Sequence, residues 1–283
     1  MDITIILTYG TLLISVISIW FKYKIFNKIP LWLFFLTLSF LFAFLFERVS
    51  LISIMYTSIV GFIIHRYYQT KNGYVFCLVL IVSIPLMFHF SFLGFDNYKY
   101  INAIKLSPYS VPYNLYFNLD KTAVGIFIIA FGFESLKINV LSFIKQVAIH
   151  LLLMVLLFFV LAIVLGYSKF EPKLPYFTPV WIIVNLFFTC LAEEAIFRRL
   201  IQQKIYDTIS SKYALVISLL VASLAFGIAH YNGGLLYILL ASVAGFFYGY
   251  IYYRTKRIEA SMLLHVLFNL IHLLTFTYPA LAS

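Results

Sequence analysis

Charged residues are scarce in this sequence of 283 residues: they make up 11% of it, whereas soluble globular domains average about 25%. Hydrophobic residues make up 64% of the chain. Because so little polar surface cannot cover so much apolar mass in water, the composition excludes a soluble globular enzyme and a disordered chain. The bilayer is the remaining solvent, and apolar runs of about 20 residues, the length that spans it, recur along the chain.

Cysteine is rare as well, which excludes a disulfide scaffold. The two cysteines, Cys77 and Cys190, lie inside apolar runs and are interpreted as packing residues. The N-terminus lacks the basic segment and the small-residue cleavage site of a signal peptide, so residues 3–21 are predicted to form a retained first helix. The strict alternation of apolar and polar residues that a porin-like barrel requires is missing too.

Acidic residues are half as frequent as basic ones, 10 against 20, and the formal net charge is +10. Basic residues in the short loops of membrane proteins orient those loops towards the cytoplasm. A nucleic-acid-binding protein would instead carry a basic stripe interleaved with aromatic residues outside the membrane segments, and the sequence has none. We therefore expect a lipid bilayer, and no nucleic acid, as a partner of the chain.

About ten hydrophobic segments follow one another as continuous blocks. This pattern predicts an all-α fold, a polytopic membrane helical bundle of about eight to ten transmembrane helices, and the range is open because three segments are short for a span. The tyrosine-rich stretch 96–121 is predicted to be an interfacial loop, with a substrate lid as the alternative. The segments are 3–21, 30–45, 50–64, 74–94, 122–134, 147–166, 178–205, 213–230, 235–253 and 259–277.

Two adjacent carboxylates interrupt the segment 178–205. Glu193 and Glu194 lie well inside it, although a charged side chain at the centre of the bilayer costs about 2.5–3.5 kcal/mol even on a lenient scale. Such a pair is a functional hypothesis by default. Glu194 and Arg198 are four residues apart, so they share a helix face and are predicted to pair. Glu193 is rotated from Glu194 by about 100°, so it needs a partner from another helix or must be protonated by burial.

The C-terminal segments supply possible partners for Glu193. His230 ends one segment, with Phe226 one turn before it on the same face. His265 and Asn269 are four residues apart in the last segment, so an imidazole and a carboxamide project side by side. Three other histidines lie near the ends of earlier segments and are interpreted as interface residues: His65, His89 and His150.

These three patterns resemble the motifs of the CAAX prenyl endopeptidase and bacteriocin-processing (CPBP) family of intramembrane proteases, also called the ABI family. The family motifs EExxxR, FxxxH and HxxxN occur here in order, each within a predicted span, as Glu193-Glu194-x-x-x-Arg198, Phe226-x-x-x-His230 and His265-x-x-x-Asn269. The resemblance covers about residues 177–275. It divides the chain into N-terminal transmembrane helices without a recognised motif, residues 1–140, and a protease core, residues 141–283.

The resemblance implies an endopeptidase that hydrolyses a peptide bond of a membrane-associated peptide or protein tail. Glu193 would be the general base that activates water, with His230 beside it, and His265 and Asn269 would stabilise the oxyanion. The chemistry agrees, since a buried carboxylate is a suitable base and His and Asn side chains donate hydrogen bonds to oxyanions. The supporting residues would be Glu194, Arg198 and Phe226.

Metal dependence is open at this point. Glu193, His230 and His265 could instead ligate zinc and leave one position for water. The HExxH motif of many zinc proteases is absent, and the two histidines come from separate helices. The favoured expectation is therefore a glutamate site without a cofactor, with zinc as the alternative.

Two other classes of function explain parts of the pattern. In a proton-coupled membrane transporter, Glu193 would carry the proton and the histidines would form a relay, but Asn269 would have no role. A non-catalytic bacteriocin-immunity or scaffold protein would use the same fold to bind a peptide. The expected location is the cell membrane of a bacterium, and the substrate and the oligomeric state stay open.

Overall fold

The structure is a computed structural model that describes residues 2–21, 23–132 and 139–282. Within these residues ten helices form, one for each predicted apolar segment, so the all-α fold is confirmed. The helices are α1 (Ile3–Ser18), α2 (Leu31–Leu45), α3 (Leu51–Thr70), α4 (Gly73–Met87), α5 (Leu119–Phe131), α6 (Val140–Leu165), α7 (Thr178–Thr208), α8 (Ala214–Ala229), α9 (Gly234–Thr255) and α10 (Ile258–Thr275).

Two short sheets lie between helices. The first pairs β1 (Lys24–Ile25) with β2 (Ile29–Pro30), and the second pairs β3 (Tyr98–Ile104) with β4 (Tyr113–Phe117). The second sheet corrects the predicted loop over 96–121, which contains two strands, whereas its position at the membrane interface stays a prediction. In β4 the exposed Asn114 and Tyr116 alternate with the buried Leu115 and Phe117. This period of two is typical of a strand, and a search for long apolar runs does not detect it.

Among the described residues, four helices are long and apolar enough to cross a membrane by their length and composition. They are α6, α7, α9 with the turn that precedes it, and α10. Four shorter apolar helices, α1, α2, α4 and α8, accompany them. The chain is an integral membrane protein. The total of eight to ten spans stays a prediction, because it depends on the shorter helices crossing the bilayer.

One compact unit comprises Met1–Tyr100, Tyr116–Glu134 and Phe187–Ala192. In it α1 packs against α2, and α3 packs against α4 and α5. Asp120, at the start of α5, is only 1% exposed, and its Oδ2 lies 2.7 Å from His89 Nδ1. His89, which the sequence places near an interface, therefore has a buried partner that its position in the sequence did not reveal.

The other compact unit comprises Ile101–Leu115, Ser135–Leu186 and Glu193–Ser283. In it α8 packs against α9 and against the C-terminal part of α7, while α9 and α10 pack against each other and against α6. All of the residues in the three motifs lie in this unit. The predicted division at residue 140 follows the motifs, whereas each compact unit draws on several stretches of chain.

Gly227, within the second motif, allows α8 and α9 to approach closely. A Cβ atom at this position would lie 2.5 Å from the backbone oxygen of Ile238 and would overlap Ser242 Oγ. We expect Gly227→Ala to lower the free energy of unfolding by about 1–3 kcal/mol, the usual cost of overpacking a tight contact. Thermal unfolding of the purified protein in detergent measures this change.

Gly10→Ala is the matched control for this substitution. A Cβ atom at Gly10, inside α1, would have no atom within 4 Å. Alanine is favoured over glycine in a helix by about 1 kcal/mol, so Gly10→Ala is expected to be at least as stable as the parent. If Gly227→Ala and Gly10→Ala had the same free energy of unfolding, the prediction would be wrong. α8 and α9 could then move apart to accept the added methyl group without loss of stability.

Candidate active site

Helix α7 carries the first motif and departs twice from α-helical geometry. Residues Asn185–Cys190 and Ala195–Gln202 form π-helical turns, and the α-helical segment Leu191–Glu194 lies between them. Such π-turns are uncommon, and inside α-helices they are frequent at functional sites. Both glutamates of the motif lie in the short α-helical segment, so they point in different directions, as their adjacent positions predict.

Glu194 is the centre of a buried hydrogen-bonded network, and its side chain is 0% exposed. Its Oε2 accepts from Arg198 Nε at 2.9 Å and from Ser261 Oγ at 2.5 Å. Its Oε1 accepts from His265 Nδ1 at 2.8 Å. The predicted pair of Glu194 and Arg198 is confirmed. The hydrogen bonds from Ser261 and His265 further offset the cost of burying the charged carboxylate, and they join α7 to α10.

Arg198 is fully buried as well, and small residues of α9 make room for it. Its guanidinium carbon lies 5.3 Å from the centroid of the Phe226 ring, which allows a cation–π interaction. Cβ atoms built at Gly245 and Gly249 would lie 3.4 Å from its two terminal nitrogens. The two glycines therefore provide the space in which the guanidinium reaches Glu194.

Glu193 approaches this network through His265, and 15% of its side chain is exposed. Its Oε2 lies 4.0 Å from His265 Nε2. His265 therefore lies between the two glutamates, with Nδ1 towards Glu194 and Nε2 towards Glu193. Because an ionised carboxylate only accepts hydrogen bonds, the ring of His265 carries a proton on Nδ1.

His230 follows the last residue of α8, and Phe226 holds its ring. His230 Nδ1 donates to the backbone oxygen of Phe226 at 2.7 Å, which leaves Nε2 of the neutral ring as an acceptor. The centroid of the Phe226 ring lies 4.5 Å from that of His230 and 5.7 Å from that of His265. Phe226 thus packs against both histidines.

Asn269 lies one turn beyond His265 on α10, as the spacing predicts. Its Nδ2 donates to Oδ1 of Asn185 at 3.2 Å. Asn185 belongs to α7 and is 8% exposed. The motifs assign no role to Asn185, although an amide inside an otherwise apolar run is a signal that could reveal one.

Tyr248 contacts His265 directly, and Ser261 contacts two neighbours of His265, Glu194 and Tyr248. The ring of Tyr248 stacks on that of His265, with the centroids 4.3 Å apart and an angle of 19° between the planes. Ser261 Oγ also lies 3.0 Å from the backbone oxygen of Tyr248, so Ser261 joins α9, α10 and Glu194. Ser261 and Glu194 are 67 residues apart in the chain, and no local spacing could reveal their contact.

A metal ion would need several of these side chains around one point. Within the described ranges, no group of three or more His, Cys, Asp or Glu side chains is arranged to hold a metal ion. Two ring nitrogens are already engaged, His265 Nδ1 with Glu194 and His230 Nδ1 with Phe226. These bonds leave Nε2 of each histidine as the nitrogen that could ligate a metal ion, as in many zinc sites. Zinc held by Glu193, His230 and His265 therefore stays the alternative to the metal-free glutamate site.

Comparison with known proteins finds a family similar to the C-terminal part of the chain. The family model described as Type II CAAX prenyl endopeptidase Rce1-like matches residues 175–271, which contain all three motifs. The family resemblance is confirmed. The matched Rce1-like segment includes Glu193, His230, His265 and Asn269, and it includes Asn185 and Ser261 as well.

A relative of this chain is the curated protein of Bacillus subtilis (strain 168) named "Putative membrane peptidase YdiL". The two are 35% identical over 91 residues, and the alignment covers 32% of this chain. The chain therefore spans about a third of the length of this relative, 35% of it. None of the solved structures matches the chain.

Proposed function

We propose that this protein is an intramembrane endopeptidase that hydrolyses a peptide bond of a membrane-associated peptide or protein tail. One observation carries the proposal: His265 lies between the two glutamates, with Nδ1 2.8 Å from the buried Glu194 and Nε2 4.0 Å from Glu193. The Rce1-like match and the peptidase name of the Bacillus relative support the same class of enzyme.

Water attacks the peptide bond in the proposed reaction. Glu193 takes a proton from the water as its oxygen forms a bond to the scissile carbonyl carbon. His230 Nε2 accepts the other hydrogen bond from the water and orients it. The carbon–nitrogen bond then breaks, and the proton held by Glu193 passes to the leaving amine, so the products are a carboxyl and an amine terminus.

The oxyanion formed on the carbonyl oxygen needs hydrogen-bond donors. Asn269 Nδ2 supplies one, and His265 Nε2 supplies a second when both ring nitrogens carry protons.

The proposed substrates are prenylated or unprenylated peptide tails in the cell membrane of a bacterium. Glu193, His265 and Asn269 lie in helices long and apolar enough to cross a membrane, which favours a substrate that is itself held at the bilayer. The bacterial source of the peptidase relative supports the location.

Cleavage by the purified chain in liposomes tests the proposal. A library of quenched fluorescent peptides would include C-terminal tails with and without a prenyl group, and mass spectrometry would identify new termini. New termini support an endopeptidase. Glu193-dependent proton flux without cleavage would replace the proposal with a transporter, and peptide binding without cleavage would replace it with a scaffold protein.

Metal removal is expected to leave the cleavage rate within about twofold of its initial value, because the proposed base and donors are side chains. Dialysis against EDTA and 1,10-phenanthroline, followed by elemental analysis of the protein, provides the measurement. Loss of cleavage that added zinc restores would contradict the metal-free reaction and would require Glu193, His230 and His265 to rearrange around the ion.

A further inference from the structure

Asn185 contacts a proposed catalytic side chain without belonging to any of the three motifs. Its Oδ1 accepts a hydrogen bond from Asn269 Nδ2 at 3.2 Å, and Asn185 is 8% exposed. It lies on α7, eight residues before Glu193. The helix that carries the proposed base thus also contacts the proposed oxyanion donor on α10.

The π-turn that begins at Asn185 changes the direction of this side chain relative to Glu193. Eight residues of regular α-helix make about 2.2 turns, which would leave Asn185 about 80° away from Glu193 around the axis. A π-turn, with i→i+5 hydrogen bonds, takes up one additional residue. Asn185 and Glu193 then have the angular relation of residues about seven apart in a regular α-helix. Seven residues make close to two full turns, so the two side chains lie on one face of α7.

We infer that Asn185 is a positioning residue that orients the carboxamide of Asn269 for oxyanion stabilisation. A carboxamide has two N–H donors and a carbonyl acceptor, and a rotation about its last bond exchanges them. Asn185 Oδ1 accepts one N–H of Asn269, so the amide group is held with nitrogen on the side of α7. The second N–H of Asn269 is then free to donate to the developing oxyanion. The amide oxygen of Asn269, which would repel the oxyanion, is kept away from it.

This inference rests on the proposed endopeptidase activity, and two substitutions of Asn185 test it. Asn185→Leu keeps the approximate size of the side chain and removes the acceptor, whereas Asn185→Asp keeps an acceptor oxygen. We expect Asn185→Leu to lower kcat about 10- to 100-fold with little change in KM, because a misoriented donor affects the transition state. Asn185→Asp is expected to retain more of the parental kcat. The probe is the peptide that the parent cleaves fastest in the quenched library.

A double-mutant cycle separates positioning from a general effect on the fold. In an Asn269→Ala background, Asn185→Leu is expected to change kcat by less than about twofold, because its target is already gone. Thr178→Val is the matched control: it removes another side-chain hydrogen bond of α7, from Thr178 Oγ1 to the oxygen of Pro175 at 2.6 Å. This control is expected to keep the parental kcat. Thermal unfolding of each variant checks that every kcat value is measured on folded protein.

The outcomes distinguish this inference from the proposed function. If the parent cleaves peptides and Asn185→Leu cleaves them equally fast, the assignment of Asn185 is wrong while the endopeptidase stands. Equal losses in Asn185→Leu and Asn185→Asp, or an undiminished effect of Asn185→Leu in the Asn269→Ala background, also overturn it. If the parent cleaves no peptide, the proposed function fails, and the role of Asn185 fails with it.

Discussion

Replacement of Glu193 by glutamine is expected to lower kcat for peptide cleavage by about 10²- to 10⁴-fold, the usual contribution of a general base. Glutamine has nearly the same shape, but it does not take a proton from water. Because Glu193 lies outside the bonds that hold Glu194, the variant is expected to fold like the parent. Cleavage of the library peptide and thermal unfolding of the same preparation measure both properties.

Glu259→Gln is the matched control for this prediction. Glu259 lies in the first turn of α10, where its Oε1 accepts from Arg257 Nη2 at 2.8 Å. The same chemical change at that position is expected to leave cleavage unaltered. Cleavage by Glu193→Gln at the parental rate would show that another group activates water. Loss of cleavage together with unfolding would point to a structural role for Glu193.

Replacement of Arg198 by alanine is expected to have the largest effect on stability. Both Arg198 and Glu194 have side chains that are 0% exposed, with 2.9 Å between Nε and Oε2. Removal of the guanidinium leaves a buried carboxylate without its cation and a cavity beside Phe226. Breaking a buried ion pair in this way costs about 3–5 kcal/mol. The yield of folded protein and its unfolding midpoint in detergent measure the loss.

Arg254→Ala is the control, because Arg254 lies exposed in the last turn of α9. Its removal is expected to change the free energy of unfolding by less than about 0.5 kcal/mol, as for most surface positions. A normal yield of Arg198→Ala with lost cleavage would assign Arg198 to the chemistry. If Arg198→Ala were as stable as the parent, the burial of the Glu194 carboxylate would not depend on the Arg198 guanidinium.

Contacts within one helix could be predicted from the spacing of residues alone. Glu194 meets Arg198, and His265 lies one turn from Asn269, because positions four apart share a face of any α-helix. The different directions of Glu193 and Glu194 follow from the same geometry. The sequence is sufficient to predict these contacts, because they depend only on the local geometry of the helix backbone.

Contacts between distant segments could not be predicted in this way. The sequence indicated that Glu193 needs a partner from another helix, but not that His265 would use its two ring nitrogens for the two glutamates. The contact of Ser261 with Glu194 and the stacking of Tyr248 on His265 could not be predicted from spacing either. The pair of His89 and Asp120 was missed for the same reason, because 31 residues separate them.

The amino-acid order by itself determined where the helices form and that they require a bilayer, because length and hydropathy are local properties that need no partner. Tertiary structure decided the second sheet, the space for Arg198 beside two glycines, and the hydrogen bond between Asn269 and Asn185. These features arise only when separate helices approach one another, since the energy that orients a buried polar side chain comes from donors and acceptors elsewhere in the chain.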